Sequence, residues 1–264
     1  MGAPALEGTY DLGAIAPELG PSCRDYLRGY VDELEAEVKR GTGGLAVAQR
    51  RAQVLDGLLN SLFCASDAAA RAQGHGPTGR VALVAVGSYG RGTLCLKSDV
   101  DVIFLCDDPE DPHLVGLTEA FLYPLWDIGL KVGHAVRGLN ETLALARTDI
   151  STATTLLDLR RIGGDDAIVR DLLERGRREL FDGDLDSFLD AMEKDTLDRH
   201  ERFGGSLYLL EPEVKLGRGG LRDLDVGLWA VRARWPVPDL QSLIRVGALQ
   251  EKELSDLKAA QDML

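Results

Sequence analysis

Two short stretches of the chain have residue types and spacing suited to chemistry: Gly87-Ser88-Tyr89-Gly90-Arg91-Gly92 and Ser98-Asp99-Val100-Asp101-Val102. The first is a Gly-rich turn directly after the apolar run Val81 to Val86. A turn in that position offers backbone amides to phosphate oxygens. Its spacing, G-x-x-G-x-G, is neither the dinucleotide fingerprint G-x-G-x-x-G nor a Walker loop, so alone it specifies little. The second stretch supplies what is missing. Residues two apart in an extended strand project from one face, so Asp99 and Asp101 converge on one spot. Two such carboxylates repel unless a cation lies between them. A hard divalent ion such as Mg²⁺ takes carboxylate, water and phosphate oxygens. The competing reading is a tight turn beside two aspartates that merely solvate a strand end. Asp101, however, is followed by Val102-Ile103-Phe104-Leu105, and a uniformly buried strand does not tolerate an unpaired charge. The combination points to a Mg²⁺-nucleotide site.

The elements that must position these residues follow from hydrophobic periodicity. Residues 1 to 21 are punctuated by Gly and Pro and read as a flexible N-terminus. From Ser22, apolar Tyr26, Tyr30, Leu34 and Val38 recur every fourth residue, which predicts an amphipathic helix. A second helix carries Val47, Val54, Leu58 and Leu62 on one face. Val81 to Val86 is β-branched and bounded by Gly, as expected of a strand buried on both faces. Val100 to Leu105 and Leu130 to Val136 read as further strands, with a helix between Asp111 and Gly129. Everything after Asn140 reads as helix, in segments near 140–147, 149–161, 165–181, 184–203, 221–235 and 250–262. The expectation is an α+β chain: a small mixed sheet with N-terminal helices over 22–140, then a helical bundle over 141–264.

Composition narrows the function classes. With 45% hydrophobic residues in 264, the chain can bury a substantial core without staples. A formal net charge of −13 argues against non-specific clamping of a nucleic-acid backbone, which needs an excess of Lys and Arg. A small nucleotide, neutralised locally, is the better ligand. Cys23, Cys64, Cys95 and Cys106 form no CxxC pair and read as free thiols of a reducing compartment. No apolar stretch approaches membrane-spanning length, and the first residues lack a signal pattern, so a cytoplasmic location is expected.

The strand, the Gly-Ser turn and the Asp-x-Asp together resemble the polymerase-β-like nucleotidyltransferase superfamily, and the resemblance implies that Gly87 and Ser88 hold the β- and γ-phosphates, that Asp99 and Asp101 ligate Mg²⁺ and that Arg91 helps neutralise phosphate. Within it, Val86 to Leu94 and Ser98 to Asp101 are similar to the amino-terminal half of the bifunctional uridylyltransferase/uridylyl-removing enzyme acting on the PII nitrogen-regulatory protein. Lys131-Val132-Gly133-His134-Ala135-Val136-Arg137 resembles that family's third core strand. Glu211-Pro212-Glu213-Val214-Lys215 and Gly217-Arg218-Gly219-Gly220-Leu221-Arg222-Asp223 resemble its signature in the helical domain. The resemblance implies Mg²⁺-dependent transfer of UMP from UTP to a Tyr hydroxyl of a PII-type signalling protein, with Lys215 and Arg222 facing the nucleotide. Read from the residues alone, the glycines permit positive-φ turns ahead of a helix near Leu221. The cations there either meet an anion or pair with Glu211, Glu213 and Asp223. An adenylyltransferase acting on another protein, and a nucleotide-binding regulatory module without turnover, stay open.

Many members of the superfamily carry a third carboxylate on the third strand, where this chain has Gly133 and His134; His134 or Asp158 are the substitutes to consider. His200-Glu201 lacks the second His of a zinc-protease motif and reads as a solvated helix face. The bifunctional family also continues into a phosphohydrolase domain with a His-Asp motif. No adjacent His-Asp pair occurs in these residues, so removal of UMP is not expected of them.

Overall fold

A computed structural model describes residues 4, 6, 10–11, 15–74, 76–203, 213–236 and 241–263. Glu211 and Pro212 of the signature segment lie outside the described residues. The chain is α+β and divides into two compact units: Met1–Ala144 with Asp158–Leu173, and Leu145–Leu157 with Glu174–Leu264.

The first unit begins with α1 (Ile15–Lys39) and α2 (Gly44–Ala72). α1 starts ahead of the expected Ser22 because Ile15, Leu19 and Cys23 continue an apolar stripe into the core. The stripe read from sequence holds at Leu34, whereas Val38 at its end is exposed. In α2 the expected face, Val47, Val54, Leu58 and Leu62, is buried throughout. The strands β1 (Val81–Ala85), β2 (Val100–Cys106) and β3 (Val132–Gly138) fall where the apolar runs place them. A single helical turn, α3 (Gly87–Gly90), follows β1. α4 (Pro112–Asp127) joins β2 to β3. Its start is set by Asp111, whose side chain accepts from the His113 amide, and by Pro112 in the first turn, which has no amide to leave unsatisfied. The buried Asp111 carboxylate also accepts from the Thr78 amide (2.7 Å) and hydroxyl (2.9 Å), tying the entry of α4 to the approach to β1.

One strand escapes a periodicity reading. The segment expected to remain helical to residue 161 instead ends α6 (Ile150–Asp158) and enters β4 (Arg160–Gly164), after α5 (Leu139–Ala146). Arg160-Arg161-Ile162-Gly163-Gly164 has one large apolar residue and two glycines, so nothing in its composition marks a strand. Its extension is imposed by pairing with the otherwise open edge of β1. The sheet order is β3-β2-β1-β4, with β2 parallel to β3 and β1 antiparallel to both β2 and β4. One face of the sheet, carrying Leu83, Ala85, Val100, Val102, Phe104 and Ile162, shares a core with buried residues of α1, α2 and α4. Phe104 meets Phe121 of α4 edge-on, ring centroids 5.3 Å apart.

α7 (Asp166–Gly176) runs on into a π turn at Arg177–Phe181. The second unit further contains α8 (Leu185–Arg202), α9 (Leu221–Arg234), α10 (Gln241–Arg245) and α11 (Glu251–Met263). In it, Phe181 and Phe188 stack edge-on at 5.0 Å, and the Arg177 guanidinium donates to the Arg232 and Arg234 carbonyls, closing the end of α9. No helix among the described residues is long and apolar enough to cross a membrane.

Leu58 is fully buried in the core shared by the sheet and α1, α2 and α4. Leu58→Ala is expected to cost about 2–5 kcal/mol through lost burial and the cavity left behind. Urea unfolding followed by circular dichroism should show a lower midpoint with little change in slope.

Candidate active site

β1 ends at Ala85, and the chain leaves the sheet through Val86, in extended conformation, into Gly87 at φ +58°. That left-handed value strains any side chain other than glycine's hydrogen, which explains the residue type. The turn then closes through Gly90 N–H to the Val86 carbonyl (3.0 Å), Arg91 N–H to Gly87 (3.0 Å) and Thr93 N–H to Ser88 (2.9 Å). The leading amides of such a turn have no acceptor within it and stay available to an outside anion.

Asp101 lies directly beside this turn. The β1–β2 ladder runs one step further, through the Val86 amide to the Asp101 carbonyl at 3.1 Å. A Cβ built on Gly87 would stand 3.9 Å from Asp101 Oδ2. Asp99 and Asp101 are both exposed, while Val100 between them is buried, as the alternation of an extended chain requires. Asp99 is positioned from α2. The Arg51 guanidinium donates to the carbonyls of Cys95 and Ser98, fixing the loop that delivers Asp99. Burial pulls the Arg51 pKa down, against the opposing charge of Asp99.

The third-strand position is resolved by register. Asp101 pairs with Gly133, and the Asp101 carboxylate lies so close over Gly133 that a Cβ there would collide with Oδ1. His134 pairs with Val102 and therefore points to the opposite face, where its ring lies 5.7 Å from Trp126. Asp158 is buried and ion-paired with Arg91, whose own side chain is only 13% exposed. His134 and Asp158 are thus both withdrawn from the carboxylate pair. Arg91 is likewise engaged by Asp158. Among the described residues no group of three His, Cys, Asp or Glu side chains is arranged to hold a metal ion. Two adjacent exposed carboxylates beside a turn with free amides still suit Mg²⁺, which retains several waters and completes its shell with phosphate oxygens.

The rear of the turn is held by residues that the sequence reading passed over. Arg160, the first residue of β4, forms a fork on Asp56 of α2 (2.7 and 3.0 Å). It also donates to the carbonyls of Tyr89 (3.0 Å) and Gly90 (3.2 Å), and its guanidinium sits 5.5 Å from the centre of the Tyr89 ring. Tyr89 is fully buried, and burial, reinforced by the Asp56 charge, pushes its hydroxyl far above the usual range. Gly90 is packed against backbone: a Cβ there would meet the carbonyls of Asp158 and Ala85. The only sequence signal was an Arg two residues after the acid in Asp158-Leu159-Arg160, which reads equally well as a helix surface.

In the second unit, the signature loop is organised around Asp223. Its carboxylate accepts from Arg199 (2.6 Å), from the Gly219 amide (2.7 Å) and from His200 (2.9 Å). His200 is therefore a partner of Asp223 and not a solvated surface residue. Gly219 alone of the three loop glycines has positive φ, at +79°, while Gly217 and Gly220 are needed because backbone carbonyls occupy the space of a Cβ. Glu213 accepts from the amides of Lys215 and Leu216. Lys215 is exposed, and Arg222 lies 5.1 Å from the ring centre of Trp229 and 3.8 Å from Asp225.

All four cysteines are free thiols. Burial pushes Cys23 up to about 11 and, with nearby carboxylates, Cys106 up to about 12, so neither supplies a thiolate at neutral pH.

A four-stranded mixed sheet with a Gly-Ser turn after its central strand and aspartates on the neighbouring strand defines an α+β domain of the nucleotidyltransferase type. A family profile described as GlnD PII-uridylyltransferase matches residues 187–264. Proteins named bifunctional uridylyltransferase/uridylyl-removing enzyme are similar over most of this chain. The one from Phenylobacterium zucineum is 36% identical over 86% of this chain and 24% of its own length. That from Rhodopseudomonas palustris is 36% identical over 88% of this chain and 25% of its own, and that from Caulobacter vibrioides 35% identical over 86% and 24%. Over most of its own length the chain is thus homologous to one region of these uridylyltransferase/uridylyl-removing proteins. It spans about a quarter of the length of these curated relatives.

Burial opposes ionisation of Asp223, but the hydrogen bonds from Gly219, Arg199 and His200 outweigh it and hold the carboxyl below the usual carboxylate range. Because the folded-state value is depressed, its stabilisation is present in full above the unfolded value of about 4 and is lost as pH falls through the folded one. Wild type should therefore exceed Asp223→Asn in thermal stability at pH 7, with the difference shrinking only below pH of about 4. A difference that is constant from neutral to acid pH would count against this account.

Proposed function

We propose that this chain carries the Mg²⁺-dependent transfer of UMP from UTP to a Tyr hydroxyl of a PII-type signalling protein, in a cytoplasmic setting. The observation that carries the reading is the contact of the Gly87-Ser88 turn with Asp101. It brings amides suited to a triphosphate against carboxylates suited to its metal. In the transfer, the Tyr oxygen forms a bond to the α-phosphorus as the bond from that phosphorus to the bridging oxygen breaks. Pyrophosphate leaves in line, and the hydroxyl proton passes to solvent or to a neighbouring carboxylate.

Mg²⁺, when bound, would lower the cost of charge developing on the attacking and leaving oxygens. Asp99 and Asp101 are the residues that would hold it. Gly87 and Ser88 bind and orient the β- and γ-phosphates, and the left-handed Gly87 lets the turn approach them without a side chain in the way. Arg91 supports the turn through Asp158. Lys215 and Arg222 remain nucleotide-binding candidates. The family names of the relatives support uridylyl chemistry and, through the matched profile, PII as acceptor. Neither the turn nor the carboxylates read a base, so an adenylyl donor with another protein acceptor is distinguished only by assay.

A second reading, a module that binds nucleotide without turnover, is favoured by one observation: the third strand offers Gly133 where a third carboxylate would stand. Incubation with labelled UTP or ATP, Mg²⁺ and a PII protein separates the two. Labelling of PII by UTP supports the transferase, whereas saturable binding without labelling supports the module. Asp101→Asn should reduce incorporation to background while changing unfolding free energy by less than about 1 kcal/mol, since the side chain is exposed. Retention of wild-type incorporation by that variant would sink the assignment.

A further inference from the structure

The geometry points to Arg160, braced by Asp56, as the positioning residue that fixes the Gly87–Gly92 turn in its anion-binding shape. This rests on the proposed nucleotide site and extends it to two residues that need not touch substrate. The turn has a front and a back. Its front, Gly87-Ser88, abuts Asp101, and its back carries the carbonyls of Tyr89 and Gly90. A short helical turn held only by its own hydrogen bonds is marginal. Here the Gly92 amide already bonds the Tyr89 carbonyl (3.0 Å), and Arg160 adds a charge-assisted donor to each rear carbonyl. Drawing those carbonyls toward a cation behind the turn leaves the leading amides directed to the front.

The residue types fit the task closely. One planar guanidinium has donors along two edges, so Arg160 engages the Asp56 carboxylate bidentately while its remaining reach serves two carbonyls. A lysine has a single ammonium and cannot span both sets. Asp56 fixes the direction of the guanidinium from α2, and the Tyr89 ring supports it from beside the turn. Both charged side chains are about one-third exposed, 34% for Arg160 and 33% for Asp56. The pair is therefore not a load on which the whole core depends, and its effect should be local. Two residues earlier, Asp158 binds Arg91 and its carbonyl packs over Gly90, so the lead-in to β4 grips the same end of the turn twice.

Amide hydrogen exchange on the chain without nucleotide tests the positioning directly. Arg160→Lys and Asp56→Asn should each raise exchange at the amides of Gly90, Arg91, Gly92 and Thr93 by about tenfold or more, the loss expected for a charge-assisted hydrogen bond. Amides of β1 and β2 should keep their wild-type protection. Titration with Mg²⁺ and UTP should show about tenfold weaker binding in both variants, and in turnover KM should rise with kcat changed by less than about threefold. Unchanged exchange at the turn in both variants would overturn the proposal. So would a uniform loss of protection across the sheet in both, which would make the pair a support of the fold as a whole. A wild-type chain that binds neither UTP nor ATP would fail the functional reading, while exchange at the turn would still decide whether Arg160 positions it.

Discussion

The structure depends on the full enclosure of β1. The strand is hydrogen-bonded on both edges, to β2 and to β4, and its residues from Ala82 to Ala85 have no exposed surface. A backbone in that position leaves no polar group to solvent until the strand ends, so the exit from the sheet is where unsatisfied amides must first appear. The chain turns there, and the adjacent strands determine what the turn meets. β2 sets Asp101 against its front, and β4 sets Arg160 against its rear. The setting of the Gly87–Gly92 turn is thus a consequence of ending a doubly paired strand next to the strand that carries Asp101.

Much of this was legible from residue types. Val81 to Val86 announced a buried strand by composition. The alternation around Asp99, Val100 and Asp101 gave the exposed face of the second strand, because period-two patterning reports burial directly. What periodicity could not reveal was held together by tertiary pairing. β4 has almost no strand character of its own and exists because β1 has an edge to fill. The roles of Arg91, Asp158 and His134 likewise depend on register and on which residues are brought together from far apart in the chain. A sequence can show that an Arg and an Asp are present, but not that one buries the other. The start of α1 differs for another reason: Gly20 and Pro21 suggest a break, yet Pro21 lies inside the helix, where burial of Ile15, Leu19 and Cys23 offsets the backbone hydrogen bond that a proline removes.

Charge is handled locally throughout. With a net charge of −13 the chain has no general attraction for anions. Several of its cations are committed in pairs: Arg91 with Asp158, Arg160 with Asp56, Arg199 with Asp223, and Arg80 with Asp107 and Asp171. Most of these pairs join segments distant in sequence and secure loops or strand ends, the places where backbone groups would otherwise move. The aspartates beside the Gly-Ser turn, Asp99 and Asp101, are exposed.

The register of Asp101 with Gly133 also bears on the order in which the chain folds. The antiparallel pairing of β1 and β2 needs only a local reversal through the turn. The parallel pairing of β2 with β3 must wait for α4 to form and carry the chain back across the sheet. The surface on which the Asp101 carboxylate rests is supplied by that later, non-local step. The turn can therefore take shape early, but its carboxylate partner reaches its final setting only once the crossover has closed.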